Sequence, residues 1–368
     1  MNIETFRLEC LSFRSVTEGF PFDGETLVFK VQGKVFAAVS LRRPDVVALK
    51  CAPTLTEQLR ERHHGVGKAE HWGKTRWNHV RMHSDVPDAL FLFLIRHAYA
   101  ETLLSMPKKA QVAFFAQRAE GAFLYEHLHT TDTLMHYPFA LHEQSSPYPL
   151  ILATADLQRA GHGGAGTHWE AENGKNLLLA YRLRLSGVPA RDAFALNQAT
   201  ALSLRQAVAY FLPAAMHEAL TLKWPNDVYY ENEKLAGMLV NTQMTSSRIS
   251  SVTVGIGLNV NQTHFRSDAP NPTSLRLILG YDLPRFLLLE RFVDALCRNI
   301  QRLAQGEAET LRREYAAVLY RRTGFHPYKD AAGRFCARIA DVLPTGELKL
   351  IDEDERTRTY AFKEVTFL

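Results

Sequence analysis

The chain has 368 residues, 46% hydrophobic and 22% charged, which leaves room for two or three domains of ordinary globular composition. Its four cysteines, Cys10, Cys51, Cys297 and Cys336, form no C-x-x-C pair, which argues against a disulfide framework or zinc knuckle and suits a reducing cytosol. The N-terminal "MNIETFRLEC" is broken by charge, unlike a signal peptide, and the apolar run Ala89 to Ile95 is too short to span a bilayer. A cytoplasmic protein with no membrane contact is expected. Residues 1–110 carry 16 Lys/Arg against 12 Asp/Glu, an excess equal to the net charge of +4 of the whole chain. So mild an excess is compatible with an anionic partner and equally with a solvated surface.

In chain order, Ile3 to Ser12 reads as a short helix, and Glu25 to Leu41 as two strands around the turn Gln32-Gly33. Asp45 to Cys51 is a third strand, Thr54 to Arg62 a helix behind Pro53, and Arg76 to Met82 an alternating strand. Val86 to Met106 is an amphipathic helix that completes a first domain over residues 1–110, followed by a linker, 111–122. The second domain, 123–320, opens with strands through "PLILATA" and "LLLAYRL". It continues with a long helix, Ala190 to Leu212, and then a run of strands whose short turns favour antiparallel pairing. Helices over Arg285 to Leu303 and Glu309 to Tyr320 close it. The tail, 321–368, has short strands and glycine turns that suggest an SH3-like β-barrel. The fold class is α+β.

Three segments carry chemistry. The glycine loop Gly161-His162-Gly163-Gly164-Ala165-Gly166 fits G-x-G-x-x-G. It lacks the helix that should follow and the acidic residue about 20 positions on, so the dinucleotide reading fails. Its backbone N–H groups can still cradle an anion, and a tight turn without ligand is the competing reading. In "KWPNDVYYENEKLAGML", the turn Pro225-Asn226-Asp227 presents Lys223, Asn226 and Asp227 together. Lys234 follows, with Gly237 as a point of close backbone approach. Two lysines and a carboxylate suit metal-assisted chemistry on a phosphate, although surface lysines on a hairpin would look the same. "GIGLNVNQ", Gly255 to Gln262, ends a buried strand in glycine and asparagine, suited to amide contacts with a nucleotide or simply to a strand-end turn.

In this order, "TTD" (Thr130 to Asp132), "GHGGAGTHW", "KWPND", "KLAGML" and "GIGLNVN" resemble the biotin–protein ligase family, and the tail is similar to its C-terminal barrel. The resemblance covers Phe123 to Leu368. It implies a central mixed α/β sheet of the class II aminoacyl-tRNA synthetase and biotin ligase type. The activity implied is formation of biotinyl-5'-AMP from biotin and ATP with Mg²⁺, then transfer of biotin to a lysine of a biotin carboxyl carrier domain. Carried over by motif, Thr130, Thr131, Gln158, Gly161, His162, Lys234 and Gly237 meet biotin. Gly163, Gly164, Gly166, Trp169, Asn226 and Asn259 border the adenylate. Lys234, Lys223 and Asp227 are the catalytic set, with Asp227 on the Mg²⁺ side. The chain departs from the pattern at His162 and Gly164, where the family has arginines, and at Asp132, where asparagine is usual. An arginine there would add roughly 2–3 kcal/mol per charge-assisted hydrogen bond, so the departure implies weaker retention of the intermediate or a higher KM.

The front of the chain resembles the YjbR/MmcQ-like family, small α+β proteins with a double-wing fold often described as DNA-binding. Lys74, Arg76 and His79 beside Trp77 could meet phosphates, or the strand could simply bury its tryptophan. The partners implied are the carrier domain, DNA for the first domain, and a second copy in a homodimer. The alternatives are a biotin-responsive DNA-binding regulator with little ligase turnover and, ranked last, a lipoate-type acyltransferase.

Overall fold

The chain falls into two units, Met1–Phe114 and Phe115–Leu368. The structure, a computed structural model, describes every residue except 119–120, 147, 164–167, 190–191, 246–247 and 268–269.

The first unit starts with α1 (Ile3–Leu11), whose first turn is capped by the Asn2 side chain accepting from the Thr5 N–H. Strands β1 (Val16–Gly19), β2 (Thr26–Val31), β3 (Lys34–Ser40), β4 (Val46–Lys50), β5 (Val66–Lys68) and β6 (Trp77–Arg81) form an antiparallel sheet in the order β1-β2-β3-β4-β6-β5. The β2–β3 turn falls at Gln32-Gly33, where φ values of 49° and 76° give the twist that a two-residue hairpin needs. Helix α2 (Pro53–Arg62) starts on a proline, which costs no hydrogen bond at that position. Helix α3 (Asp88–Leu104) buries Phe91, Ile95 and Tyr99 against the sheet, with Tyr99 stacked on Phe13 at 4.6 Å and edge-on to Phe36 at 5.8 Å. The other sheet face gathers Val28, Ala38, Ala48 and Ala69 under Trp77, which stacks on Trp72 at 4.3 Å. The segment expected to be a linker is helical over α4 (Lys108–Ala116). Strands β1 and β5, four and three residues long, were too short to show a period in the sequence.

The second unit begins with the short pair β7 (Gln117–Arg118) and β8 (Gly121–Ala122), then β9 (Leu124–Thr131), α5 (Phe139–Ser145), β10 (Leu150–Gln158), β11 (Leu177–Pro189) and α6 (Ala193–Ala209). Next come β12 (Leu220–Lys223), β13 (Asp227–Tyr230), β14 (Glu233–Thr245), β15 (Arg248–Leu258), α7 (Leu275–Leu279), α8 (Arg285–Ala304) and α9 (Ala308–Ala317). These strands form a seven-stranded sheet, β12-β13-β14-β15-β11-β10-β9, antiparallel apart from the parallel pair β9–β10.

Strand alternation gives the sheet two unlike faces. Tyr181 points toward the helices, its hydroxyl 2.6 Å from Thr200 on α6 and its ring 6.4 Å from Phe292 on α8. Ile151, Ala153, Ala155, Leu178 and Ala180 point the other way, under Leu134, Tyr137 and Phe139. The tail is a second, five-stranded antiparallel sheet of β16 (His326–Asp330), β17 (Gly333–Val342), β18 (Leu348–Asp352), β19 (Thr357–Tyr360) and β20 (Thr366–Phe367). Among the described residues no single helix is long and apolar enough to cross a membrane.

One buried group in the first unit makes a pH prediction. His97 on α3 is buried, and its Nε2 accepts from the Ala52 N–H at 3.1 Å, so the ring must be neutral on that nitrogen. Burial pushes its pKa down from 6.5 to about 4. Between those values the unfolded chain binds a proton that the folded chain refuses. The stabilisation is therefore full above pH 6.5 and is lost as pH falls toward 4. The loss should approach about 1.4 kcal/mol per pH unit. His97→Gln, which keeps an acceptor for Ala52, should be less acid-sensitive than the parent in urea unfolding at pH 7 and pH 5 (about these values, chosen to bracket the transition). Equal acid sensitivity would contradict the assignment.

Candidate functional site

The site is built on the face of the large sheet away from α6 and α8. Strand registers place Asp227, Gly237, Gly257 and Leu178 in one row across β13, β14, β15 and β11. Two of these positions are glycine because the indole of Trp169 lies on them. A Cβ on Gly257 would stand 2.3 Å from the ring, and one on Gly237 would stand 3.2 Å from it. Gly255, two residues back on the same face, is covered by Met135, whose sulfur would lie 2.6 Å from an added Cβ. The glycine spacing of "GIG" thus follows from the strand period, with Ile256 between them buried.

Above this row is a cavity of about 750 Å³, a size typical of small-molecule sites. Its walls include Thr133, Met135, Gln158, His162, Gly163, Trp169, Lys223, Asn226, Asp227, Lys234, Gly237, Gly257 and Asn259, and from the tail Phe362, Lys363 and Phe367. Lys234 Nζ sits 2.8 Å from Asp227 Oδ2 and 6.0 Å from the Trp169 ring. Lys223 is directly opposite Asp227 in the β12–β13 register. Its ammonium lies 3.1 Å from the Tyr229 hydroxyl and among the rings of Tyr229 (4.8 Å), Phe367 (5.2 Å) and Tyr320 (6.0 Å). Burial there pushes the Lys223 pKa below its usual range; Asp227 opposes the shift, and Lys234 and Arg321 add to it. The result is a partly desolvated cation pair around one carboxylate, a setting in which charge acts more strongly than in water.

The neighbouring polar side chains hold the walls in place. The Asn226 amide donates to the Met238 carbonyl across the β13–β14 hairpin, and the Met238 N–H returns a bond to the Asn226 carbonyl at 3.0 Å. The carbonyl of Pro225 accepts from Asn197 at 2.9 Å and Tyr315 at 3.1 Å, fixing the turn from the α6 and α9 side. Asn259 donates to the Thr273 carbonyl at 2.9 Å, and its amide oxygen faces Asn176 at 3.4 Å. Its side chain therefore anchors the end of β15 while lining the cavity. Glu170 receives the backbone N–H groups of Arg266 and Ser267. Burial works against its charge, but those bonds hold its carboxyl below the usual range. Trp169 Nε1 is buried with no hydrogen-bond acceptor among the described residues, a donor that a ligand could satisfy.

Most of the residues singled out in the sequence meet here: Gln158, His162, Gly163, Trp169, Lys223, Asn226, Asp227, Lys234, Gly237 and Asn259 all line the cavity. Gly161 is not among the lining residues; its carbonyl accepts from the Trp169 N–H at 2.9 Å. Gly164 and Gly166 lie outside the described residues. Thr130 and Thr131 end β9, with Thr131 paired to Gln158, and neither lines the cavity; Thr133 and Met135, just beyond, do. Sequence reading also missed the strip Phe362–Phe367, for which only chain-distant packing could have given a signal. In the first unit Lys74 and Arg76 are exposed, while His79 is half-buried and its pKa lowered by burial.

Fold and site together define a sheet-based pocket walled by two lysines and a carboxylate. Residues 127–259 match the model of the biotin/lipoate A/B protein ligase family, and residues 11–101 match the YjbR model. The chain thus carries a YjbR region followed by a region of that ligase family. A biotin–[acetyl-CoA-carboxylase] ligase of Mycobacterium tuberculosis is 34% identical over 134 residues, 36% of this chain and 47% of the relative. The bifunctional ligase/repressor BirA of Bacillus subtilis is 32% identical over 111 residues, 30% of this chain and 33% of the relative. The chain therefore matches between a third and a half of the length of these relatives. A biotin protein ligase from Aquifex aeolicus, solved in complex with biotin and ATP, superposes with a TM-score of 0.52 at 20% identity. The superposition covers 67% of this chain and 98% of that one, a likeness of fold.

The glycine row makes a direct prediction. Gly257→Ala should force the Trp169 indole off the sheet, costing about 1–3 kcal/mol as overpacking and shifting tryptophan emission. Unchanged emission and an unchanged unfolding midpoint would show that the ring does not depend on this glycine.

Proposed function

We propose that this chain is an ATP-dependent biotin–protein ligase that forms biotinyl-5'-AMP and passes biotin to a lysine of a biotin carboxyl carrier domain. The observation that carries the reading is the convergence of Lys234, Lys223 and Asp227 beside the Gly237–Gly257 floor, within the segment that matches the ligase family. Attack of the biotin carboxylate on the α-phosphate of ATP forms an acyl–phosphate bond and expels pyrophosphate, gathering negative charge at the phosphorus. Lys234, between Asp227 and Trp169, is the cation best placed to meet both the carboxylate and that phosphate. Lys223, less fully solvated, adds charge from the other side of Asp227. Magnesium fits as a partner brought by ATP. Asp227 offers it one carboxylate, phosphates and water would supply the rest, and the ion would neutralise phosphate charge. Transfer then needs only the acceptor lysine amine to displace AMP from the mixed anhydride.

His162 and Gly163 are the described part of the loop that would cover the adenylate, and Thr130 and Thr131 are proposed to reach biotin from the end of β9. The five-stranded antiparallel tail with its glycine turns supports an SH3-like reading of 321–368. The six-stranded sheet with its helices supports a double-wing reading of 1–110. A cytoplasmic location suits both substrates.

Biotin-dependent exchange of pyrophosphate into ATP tests the reaction. The parent chain should catalyse it, and Lys234→Ala should lower the rate about 10- to 100-fold, the equivalent of one charge-assisted hydrogen bond. A parent chain that supports neither exchange nor transfer to a carrier domain would sink the ligase reading. Biotin binding without either reaction would favour the regulator.

For the first unit the proposal is contact with DNA through exposed Lys74 and Arg76, supported by their freedom from the core that holds Trp77. Full-length Lys74→Ala/Arg76→Ala should bind duplex DNA with a log–log salt slope smaller by about 2. Absence of DNA binding by the parent chain at low salt would remove this role.

A further inference from the structure

The opposite face of the large sheet carries a second cluster that the ligase reading does not use. Thr154 and Asp156 alternate on β10 with Ala153 and Ala155, so they point away from the Trp169 cavity. On the neighbouring edge strand β9, His127 and His129 are two residues apart and share that face. His127 Nε2 lies 3.2 Å from Asp156 Oδ2, and His129 Nδ1 lies 3.3 Å from the same oxygen. All three ligand atoms fall within 4.8 Å of one another, and no other such group of three occurs among the described residues. We propose that His127, His129 and Asp156 form a binding site for a late first-row divalent cation of the Zn²⁺ type, with water as the remaining ligand.

The geometry suits that ion. Tetrahedral zinc with bonds of about 2.0–2.1 Å has ligand atoms about 3.3–3.4 Å apart, and both nitrogen–oxygen separations already fall close to this. His129 is 87% exposed, so its ring can turn to close the remaining edge and leaves room for water.

The outer shell is also in place. Thr154 Oγ1 lies 2.9 Å from His127 Nδ1 and 3.0 Å from the Tyr125 hydroxyl. Once the ion replaces the Nε2–H···Oδ2 bond, an Nδ1–H donated to Thr154 leaves the Nε2 lone pair for the metal, as a metal-binding imidazole requires. Arg285, the first residue of α8, donates to Asp156 Oδ1 at 2.9 Å and so leaves Oδ2 as the coordinating oxygen. Its charge opposes a cation, which argues for modest affinity and for a structural role. On binding, the ion takes the place of the hydrogen bonds between each imidazole and Oδ2, and any proton they carry passes to solvent. The ion would fasten β9 to β10 immediately before Thr130 and Thr131.

The test uses the full chain, stripped with chelator and titrated with Zn²⁺ alone by calorimetry and with Co²⁺ for its tetrahedral visible spectrum. The parent should bind one equivalent that His129→Ala and His127→Gln each weaken about 10-fold or more. The tetrahedral cobalt band should disappear in both variants, and Zn²⁺ should raise the melting temperature of the parent alone. His129 is exposed, so its variant should keep the parent's circular dichroism. Equal stoichiometry, affinity and cobalt spectrum in parent and variants would overturn the site, as would a parent that binds no Zn²⁺. Neither result depends on ligase activity.

Discussion

The pocket depends on a steric constraint, the lack of side chains on the sheet beneath Trp169. Gly237 and Gly257 are neighbours in the β14–β15 register, and with Asp227 they form a row in which only the carboxylate rises from the floor. The indole rests directly on the backbone, and Lys234 can pass over Gly237 to reach Asp227 at 2.8 Å. A side chain at Gly257 would push the ring up, and one at Gly237 would crowd the ring, Asp227 and Lys234 together. The arrangement of charge around the cavity is therefore a consequence of backbone exposure, with the registers of three antiparallel strands deciding which residues share the row.

The turn that carries Asp227 is held from behind. Asn197, on α6, and Tyr315, on α9, both bond to the Pro225 carbonyl, and Trp224 Nε1 donates to Gly346 in the tail at 2.8 Å. Helices, turn and C-terminal sheet thus meet at one loop. Phe367 belongs to the tail yet forms part of the aromatic surround of Lys223, so the small sheet takes part in setting the environment of a charge in the pocket. A cation surrounded by rings loses water and keeps an electrostatic partner, which is how this lysine can stay charged while desolvated.

The short-range parts of this arrangement were legible in the sequence. The Gln32-Gly33 hairpin, the long helix now seen over Ala193–Ala209 and the clustering of Lys223, Asn226 and Asp227 follow from turn chemistry and from periods of 2 and 3.6 residues. The register across strands was not legible. That Gly237 faces Gly257, or that Thr131 pairs with Gln158 while Thr133 lines the cavity, depends on contacts between distant segments. The same holds for Phe362–Phe367, more than 120 residues beyond the turn they cover. Asn226 and Asn259 illustrate a different limit. Their residue type suggested ligand contact, while their hydrogen bonds also serve to brace the backbone, and composition alone does not separate the two roles.

The two faces of β10 show how one strand can serve two separate purposes. Ala153 and Ala155 are small because the pocket side is packed under Tyr137 and the Leu134–His136 turn. Thr154 and Asp156, between and beyond them, hold the polar cluster with His127, His129 and Arg285. Because the side-chain period is two, a one-residue slip of β9 against β10 would turn the histidines into the apolar layer and carry Leu124 and Leu128 out of it. The polar cluster therefore penalises the wrong register of the parallel β9–β10 pair. That pair cannot be set by a tight hairpin, since a parallel connection has to cross over. Interactions on both faces instead fix the register, and with it the position at which the chain leaves β9 to form the pocket wall at Thr133.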